Sequence, residues 1–243
     1  MNGKDTNKKK SILGIALFPI KLFLIYTAFA VFLILFFRFI HPPTTAFIYS
    51  DVDEPLKSLF STDDIKHQPI SFDKMSRYSS LAVIASEDQV FFDHCGFDFE
   101  QIEKAIKENK HRKRVRGAST ISMQLAKNMF LWSGKSFVRK GLEAYYTLSL
   151  ELLWSKKRIL EEYLNAAEMG RGIYGVQTAA KFYYRKNAAK INILEAATLA
   201  AVLPSPKKRN PNRPSSYLLG RRVTIMVQMN CIGGLAYLKE KLD

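Results

Sequence analysis

The chain has 243 residues, with 37 Lys and Arg against 22 Asp and Glu, a formal net charge of +15 and 47% hydrophobic residues. That is enough apolar material for one domain of ordinary size or two small ones, and it excludes a disordered polyelectrolyte. The charge asks for an anionic partner (nucleic acid, a lipid headgroup surface or a phosphorylated substrate), while Cys95 and Cys231 are too far apart for their spacing to give a disulfide framework or a cysteine-based zinc site, so both read as free.

The first element is apolar. From Ile12 to Ile40 the only charged residues are Lys21 and Arg38, and Leu22 to Phe37 is unbroken. With Arg38 snorkelling, the run approaches the roughly 20 residues that cross about 30 Å of hydrocarbon, which predicts one transmembrane helix over 12–40. Lys4, Lys8, Lys9, Lys10 and Lys21 lie on its N-terminal side, whereas Asp51, Asp53, Glu54, Asp63 and Asp64 outnumber Lys57 after it. The positive-inside rule therefore makes 1–11 a basic cytoplasmic tail and exports everything after residue 41. A cleaved signal peptide is the rival reading, through Thr44-Thr45-Ala46, but the run is long for a signal sequence. A buried core helix would show a polar face, and none interrupts the run.

His41-Pro42-Pro43 cannot continue a helix, so 41–70 reads as a linker and 71–243 as a domain. Asp98 with Gln101, Ser136, Ser155, and Asn192 with Glu195 are N-cap signals, and Gly170 and Pro204 are stops. They predict helices over 137–154, 156–169, 174–184, 193–203 and 215–229. Strand alternation is scarce and there is no repeat, so the fold class is mostly α.

Two familiar patterns fail on context. Gly170 to Gly175 matches G-x-G-x-x-G but follows a helical stretch rather than a strand opening a βαβ unit. Ser71 with Lys74, and Ser205 with Lys208, match S-x-x-K without the K-T-G or S-D-N partners of an acyl-enzyme site. His41, His67, His94 and His111 show no metal-ligand spacing.

Three constellations carry more. Glu87, Asp88, His94, Gly96 and Asp98 follow the apolar stretch Leu81–Ala85; a carboxylate at the mouth of an apolar helix is partly desolvated and suited to accept a proton near neutral pH, though acids there also cap amides and pair with bases. Beyond Gly117, where Ser119 or Thr120 can cap, Gln124, Lys127 and Asn128 share one helical face, either a grip for phosphate or sugar oxygens or a solvated stripe. Arg139 and Lys140 fall one turn before Glu143, with Glu151 two turns on; this is an acid held among cations beside a phosphorylated ligand, or ordinary intrahelical ion pairing.

Taken in order, these segments resemble the family 51 glycosyltransferases. The resemblance covers about residues 70–230 and rests on E-D-Q-V-F-F-D-H-C-G-F-D (87–98), G-A-S-T-I-S-M-Q-L-A-K-N (117–128), R-K-G-L-E-A-Y-Y-T-L-S-L-E (139–151), K-K-R-I-L-E-E-Y-L-N (156–165) and the 175–206 stretch with E-A-A-T-L-A-A-V-L-P. It implies a lysozyme-like α domain on a single N-terminal anchor. It also implies an inverting peptidoglycan glycosyltransferase of the monofunctional kind, which polymerises lipid II, a disaccharide-pentapeptide on undecaprenyl diphosphate, at the outer face of a bacterial inner membrane. Carried over by position, Glu87 is the general base on the acceptor 4-hydroxyl. Glu143 supports the leaving diphosphate, directly or through a divalent cation such as Mg or Mn. Lys127, Lys135, Arg139 and Lys140 meet the diphosphate charge, and Ser119, Gln124 and Asn128 position oxygens. No organic cofactor is implied; the implied partners are lipid II, the nascent glycan strand, membrane lipids and other cell-wall synthesis proteins.

Met123 stands where the family often has Gln, Lys135 where it often has Arg, and Gly117-Ala118 replaces Gly-Gly; none removes a catalytic group. The basic tract Lys104 to Arg116 is read as a contact for anionic headgroups or as a solvated face. Two other functions compete. A lysozyme-like hydrolase or lytic transglycosylase also uses a Glu but lacks the cationic motif that a diphosphate requires. A nucleic-acid-binding protein is suggested by charge alone and is opposed by topology and by the absence of binding motifs.

Overall fold

The structure, a computed structural model, describes residues 3–50, 66–111, 117–134 and 136–242. The chain divides into two compact units, Met1–Ile40 and His41–Asp243. The first consists of helix α1 (Gly3–Phe37), whose side chains are described at Phe18 and from Lys21 onward. Phe18, Leu22, Phe23, Ile25, Phe29 and Phe32 are all exposed on it. Among the described residues, no helix is long and apolar enough to cross a membrane. The acidic residues expected after the span, Asp51 to Asp64, lie outside the described residues, as do Lys135 and the basic residues Arg112, Lys113, Arg114 and Arg116.

In the second unit the described residues form α2 (Ala46–Ser50), β1 (Lys66–His67), α3 (Arg77–Glu87), α4 (Phe99–Asn109), α5 (Ile121–Phe130), α6 (Phe137–Leu153), α7 (Lys156–Ala166), β2 (Glu168–Gly170), β3 (Ile173–Tyr174), α8 (Val176–Tyr184), α9 (Ile193–Val202), α10 (Ser216–Cys231) and α11 (Gly234–Leu242). The mostly α expectation for this unit holds. Its core is set by two helices without a solvent face: every residue from Ser79 to Ala85 on α3 and from Ala196 to Val202 on α9 is buried. A helix that is apolar all round has to be enclosed, and α3 is, by α7, α9, α10 and α11.

The expected caps are present. The side chains of Asp98, Ser136, Ser155 and Asn192 accept from the backbone N–H of Gln101, Arg139, Arg158 and Glu195, and Glu195 answers the Asn192 N–H to close a capping box. Of the two candidates at the start of α5, Thr120 rather than Ser119 is the cap, accepting from Met123 N at 3.1 Å.

Two predicted helices are shorter than expected, because a small sheet takes their ends. Strand order is β1-β3-β2, with β1 parallel and β2 antiparallel to β3. The helix expected over 156–169 stops at Ala166, and that over 174–184 begins at Val176. Gly170 to Gly175 is thus a hairpin followed by a helix cap. Gly175 has φ +82°, and a Cβ there would stand 2.6 Å from the Asn165 carbonyl oxygen, so α8 can approach α7 only with glycine at this position.

The turn after α3 depends on glycine in the same way. Gly96 has φ +91°, and a Cβ would meet Thr147 Cγ2 at 2.8 Å and Glu151 Cγ at 3.0 Å on α6. Gly96→Ala is expected to cost roughly 2–4 kcal/mol, the sum of left-handed strain and overpacking. Urea unfolding of the full chain in detergent checks this, and an unchanged midpoint contradicts it.

Candidate active site

Glu87 is the last residue of α3, at the end of its apolar stretch, and reaches a groove, the cavity lined by Lys127 and Asn128, through its partner Gln124. Its side chain is 13% exposed. One carboxylate oxygen accepts from Gln124 Nε2 at 3.0 Å and the other faces Arg221 Nη2 at 3.5 Å. Burial raises its pKa above the ordinary glutamate value, while the Gln124 hydrogen bond and the Arg221 charge pull the other way and the neighbouring Asp88 charge adds to the rise. A carboxylate raised in this way is more basic than an exposed one, as a general base requires.

The Gln124 amide is oriented from behind. Tyr163 on α7, fully buried, donates its hydroxyl to Gln124 Oε1 at 3.1 Å, leaving the amide nitrogen toward Glu87. Burial and the charges of Glu87 and Asp88 push the Tyr163 phenol well above its ordinary pKa, so it remains a donor throughout the working pH range. Asp88 does a different job from Glu87. It is buried, accepts from the Ile121 N–H at 2.9 Å at the first turn of α5, and takes the His94 Nε2–H at 3.0 Å. The Gly96 N–H donates to His94 Nδ1, which fixes that tautomer, and Thr120 Oγ donates to the Gly96 carbonyl at 2.7 Å. The adjacent acids Glu87 and Asp88 therefore split: Asp88 ties the turn to the N-terminus of α5, where a negative charge is favoured, and Glu87 faces Gln124 and Arg221.

Next to Gln124 on α5, Lys127 and Asn128 line a cavity of about 330 Å³ together with Tyr163, Glu168 and Lys207. The expected shared face of Gln124, Lys127 and Asn128 is present, whereas Ser119 sits on the exposed approach to α5. Lys127 also feels the third motif. Its pKa is lowered, first by burial and then by Arg139 and Lys140, with Glu143 opposing. Glu143 is 3% exposed and held from both sides, by Arg139 Nη1 at 2.9 Å and Lys140 Nζ at 2.5 Å. The intrahelical pairing expected as the bland alternative is therefore real, and it fixes two cations, Arg139 and Lys140, near enough to Lys127 to be felt by it. Arg139 and Arg221 each keep a buried Nε–H with no hydrogen-bond partner among the described residues. Both Glu143 oxygens are occupied by cationic side chains, so these residues do not fit a divalent metal at that carboxylate.

Glu151 belongs to the framework. It accepts from Ser122 Oγ and from Lys156 Nζ at 2.8 Å, and Lys156 also donates to the His94 carbonyl at 2.6 Å. Away from the groove, His41, Glu161 and Glu162 bring three ligand-type atoms within 4.8 Å of one another. Arg158 already pairs with both acids, at 2.5 Å and 2.9 Å, and the His41–Glu162 hydrogen bond raises the histidine pKa, so the cluster is a charge-compensated clasp. Sequence reasoning missed this cluster because its members lie 120 positions apart. It missed Arg221 and Tyr163 for the same reason; the signal for Tyr163 was its place in the fourth motif, between Glu162 and Asn165.

The geometry can be compared with known proteins. The family described as Transglycosylase matches residues 53–230. The chain belongs to the transglycosylase family. It is 55% identical over 167 residues to a biosynthetic peptidoglycan transglycosylase of Bacteroides thetaiotaomicron, covering 69% of this chain and 67% of that one. It is 47% identical to one of a Marinomonas species over 97% and 99% of the two chains, and 44% identical to one of Pseudomonas syringae over 90% and 93%.

Two outcomes follow for a transglycosylase built this way. Removing the Arg221 charge lifts the Glu87 pKa further, so in Arg221→Ala the acidic limb of the kcat/KM profile is expected to move to higher pH; a limb that stays put or moves to lower pH contradicts the arrangement. Binding a diphosphate beside Lys127 restores its pKa upward, so a lipid diphosphate analogue is expected to take up protons at alkaline pH. Calorimetry in buffers of different ionisation enthalpy reads this, and the uptake disappears in Lys127→Met.

Proposed function

We propose that this transglycosylase polymerises lipid II by inverting displacement, and that the reaction runs along the groove between Glu87 and the cluster of Lys127, Arg139 and Lys140. The supporting observation is that α5 carries both halves: Gln124 holds the Glu87 carboxylate at 3.0 Å, and one turn later Lys127 is coupled to Arg139, Lys140 and Glu143. Glu87 takes the proton of the acceptor sugar 4-hydroxyl, and that oxygen forms a bond to the donor anomeric carbon. The bond from that carbon to the diphosphate oxygen breaks, and undecaprenyl diphosphate leaves with the electron pair. Lys127, Arg139 and Lys140 stabilise the charge that develops, and because they are already fixed they need little reorganisation. Glu143 keeps Arg139 and Lys140 in place and prevents the cluster from being a bare excess of positive charge. Asn128, which lines the same cavity, positions substrate oxygens. From the family pattern, Ser119, on the loop before α5, is assigned the same kind of contact, and Lys135, between the second and third motifs, a charge contact to the diphosphate.

The same reading places α1 in the bacterial inner membrane, with its N-terminus cytoplasmic and the catalytic unit on the exported face. The uninterrupted run from Leu22 to Phe37 and the ring of exposed Phe, Leu and Ile side chains support this, since such a surface is costly in water. A substrate carried on a polyprenyl chain also requires an enzyme at the bilayer.

Glu87→Gln removes the base and keeps the shape. It is expected to reduce lipid II polymerisation by about 10²–10⁴-fold while binding of a diphosphate-bearing analogue persists. Polymer length and rate, read on gels with labelled lipid II, check this; turnover at the wild-type rate assigns the proton to another group.

A further inference from the structure

A second concavity lies on the far edge of the small sheet. β2 brings Glu168 to the wall of the groove, and β1, at the other edge, brings Lys66 and His67 to a basin of about 650 Å³. Two interstrand spacings, about 10 Å, separate the edges. Three cations converge on the basin: Lys66 from β1, and Lys181 and Arg185 from the end of α8. Among the described residues, no carboxylate lines it. One wall is the ring of Phe182, with Lys66 Nζ 4.8 Å from its centre. At the rim, Lys181 donates to Gln68 Oε1 at 2.8 Å, and the Gln68 N–H donates to Thr178 Oγ1 at 3.0 Å. Burial lowers the His67 pKa, so that ring is neutral near pH 7.

Cations at a helix C-terminus complement its dipole, which accounts for Lys181 and Arg185 taken singly. It does not account for Lys66, which comes from another element and lies over the Phe182 ring, nor for the choice of an arginine, Arg185, at the left-handed position that closes the helix. That residue has φ 56° and ψ 35°, a left-handed conformation at the C-cap where glycine or asparagine is favoured. An arginine held there at a conformational cost is a reason to look for a ligand.

We infer that the basin binds a carboxylate of the peptide stems on the strand that the groove elongates, giving the polymer a second point of attachment. This rests on the polymerase reading above. Each added disaccharide brings a peptide with free carboxylates, and the basin lies within a short reach of the groove wall. Its concave shape, aromatic wall and hydrogen-bonding rim suit a peptide carboxylate better than a flat lipid surface, and its attraction is expected to weaken with salt.

The test uses the full chain in detergent, titrated with soluble glycan–peptide oligomers that carry no lipid diphosphate. The expected Kd rises at least tenfold in Lys181→Glu/Arg185→Glu, and at least fivefold when the oligomer carboxylates are amidated. Arg185→Gly is expected to weaken binding while Tm stays level or rises, a split that a merely structural role does not produce. Wild-type affinity in these variants, equal affinity for the amidated oligomer, or capture of phosphatidylglycerol vesicles through these residues in place of the oligomer overturns the inference. Lipid II polymerisation on the same preparations separates the two readings: polymer formed alongside basin-independent binding sinks this inference alone, and no polymer sinks the enzymatic reading and this inference with it.

Discussion

A carboxylate at the end of a helix with no solvent face is the constraint on which the rest of this molecule depends. From Ser79 to Ala85 every residue of α3 is enclosed, and Glu87, at the helix end, still has little water around it. Its charge has to be met by fixed groups, here Gln124 and Arg221. Much of the surrounding structure can be understood as holding those groups in register. Asp88 anchors the first turn of α5, Thr120 ties that turn to Gly96, and Tyr163 sets the Gln124 amide from the opposite side.

The groove sets two kinds of group out of their ordinary ranges, in opposite directions. Burial lifts Glu87 toward basicity, and burial with neighbouring cations lowers Lys127. Each departure is relieved by a step of the proposed reaction: the first when a proton arrives from the acceptor hydroxyl, the second when a diphosphate sits beside the lysine. Ground-state discomfort of this kind is how fixed charges favour a transition state over an empty site. The Glu143 pairs with Arg139 and Lys140 limit the repulsion.

Much of this was legible in the sequence, and the exceptions share a cause. Caps at Asp98, Ser136, Ser155 and Asn192 are local hydrogen bonds within four residues, so residue type and spacing reveal them. The exit of Glu87 from an apolar run, and the common face of Gln124, Lys127 and Asn128, follow from helical periodicity in the same way. The strands escaped notice because two or three residues cannot show an alternation, and two helix ends were overextended as a result. Arg221, 134 positions from Glu87, and His41, 121 from Glu162, meet their partners only through the tertiary fold. The roles of Asp88 and Glu151 could not be told from that of Glu87 in the sequence, since acids look alike until their donors are known. The family pattern supplied what periodicity could not, by singling out Glu87 and Glu143.

The most direct measurement is the titration of the Glu87 side chain, followed by carboxyl-carbon NMR in the full chain with Glu87→Gln used to assign the signal. A carboxyl that titrates above an exposed glutamate, and that shifts when a diphosphate analogue occupies the groove, is the expected result. Titration at or below the ordinary value, indifferent to the analogue, would show that the carboxylate is neither desolvated nor in the same groove as the cations, and the proposed chemistry would have no base.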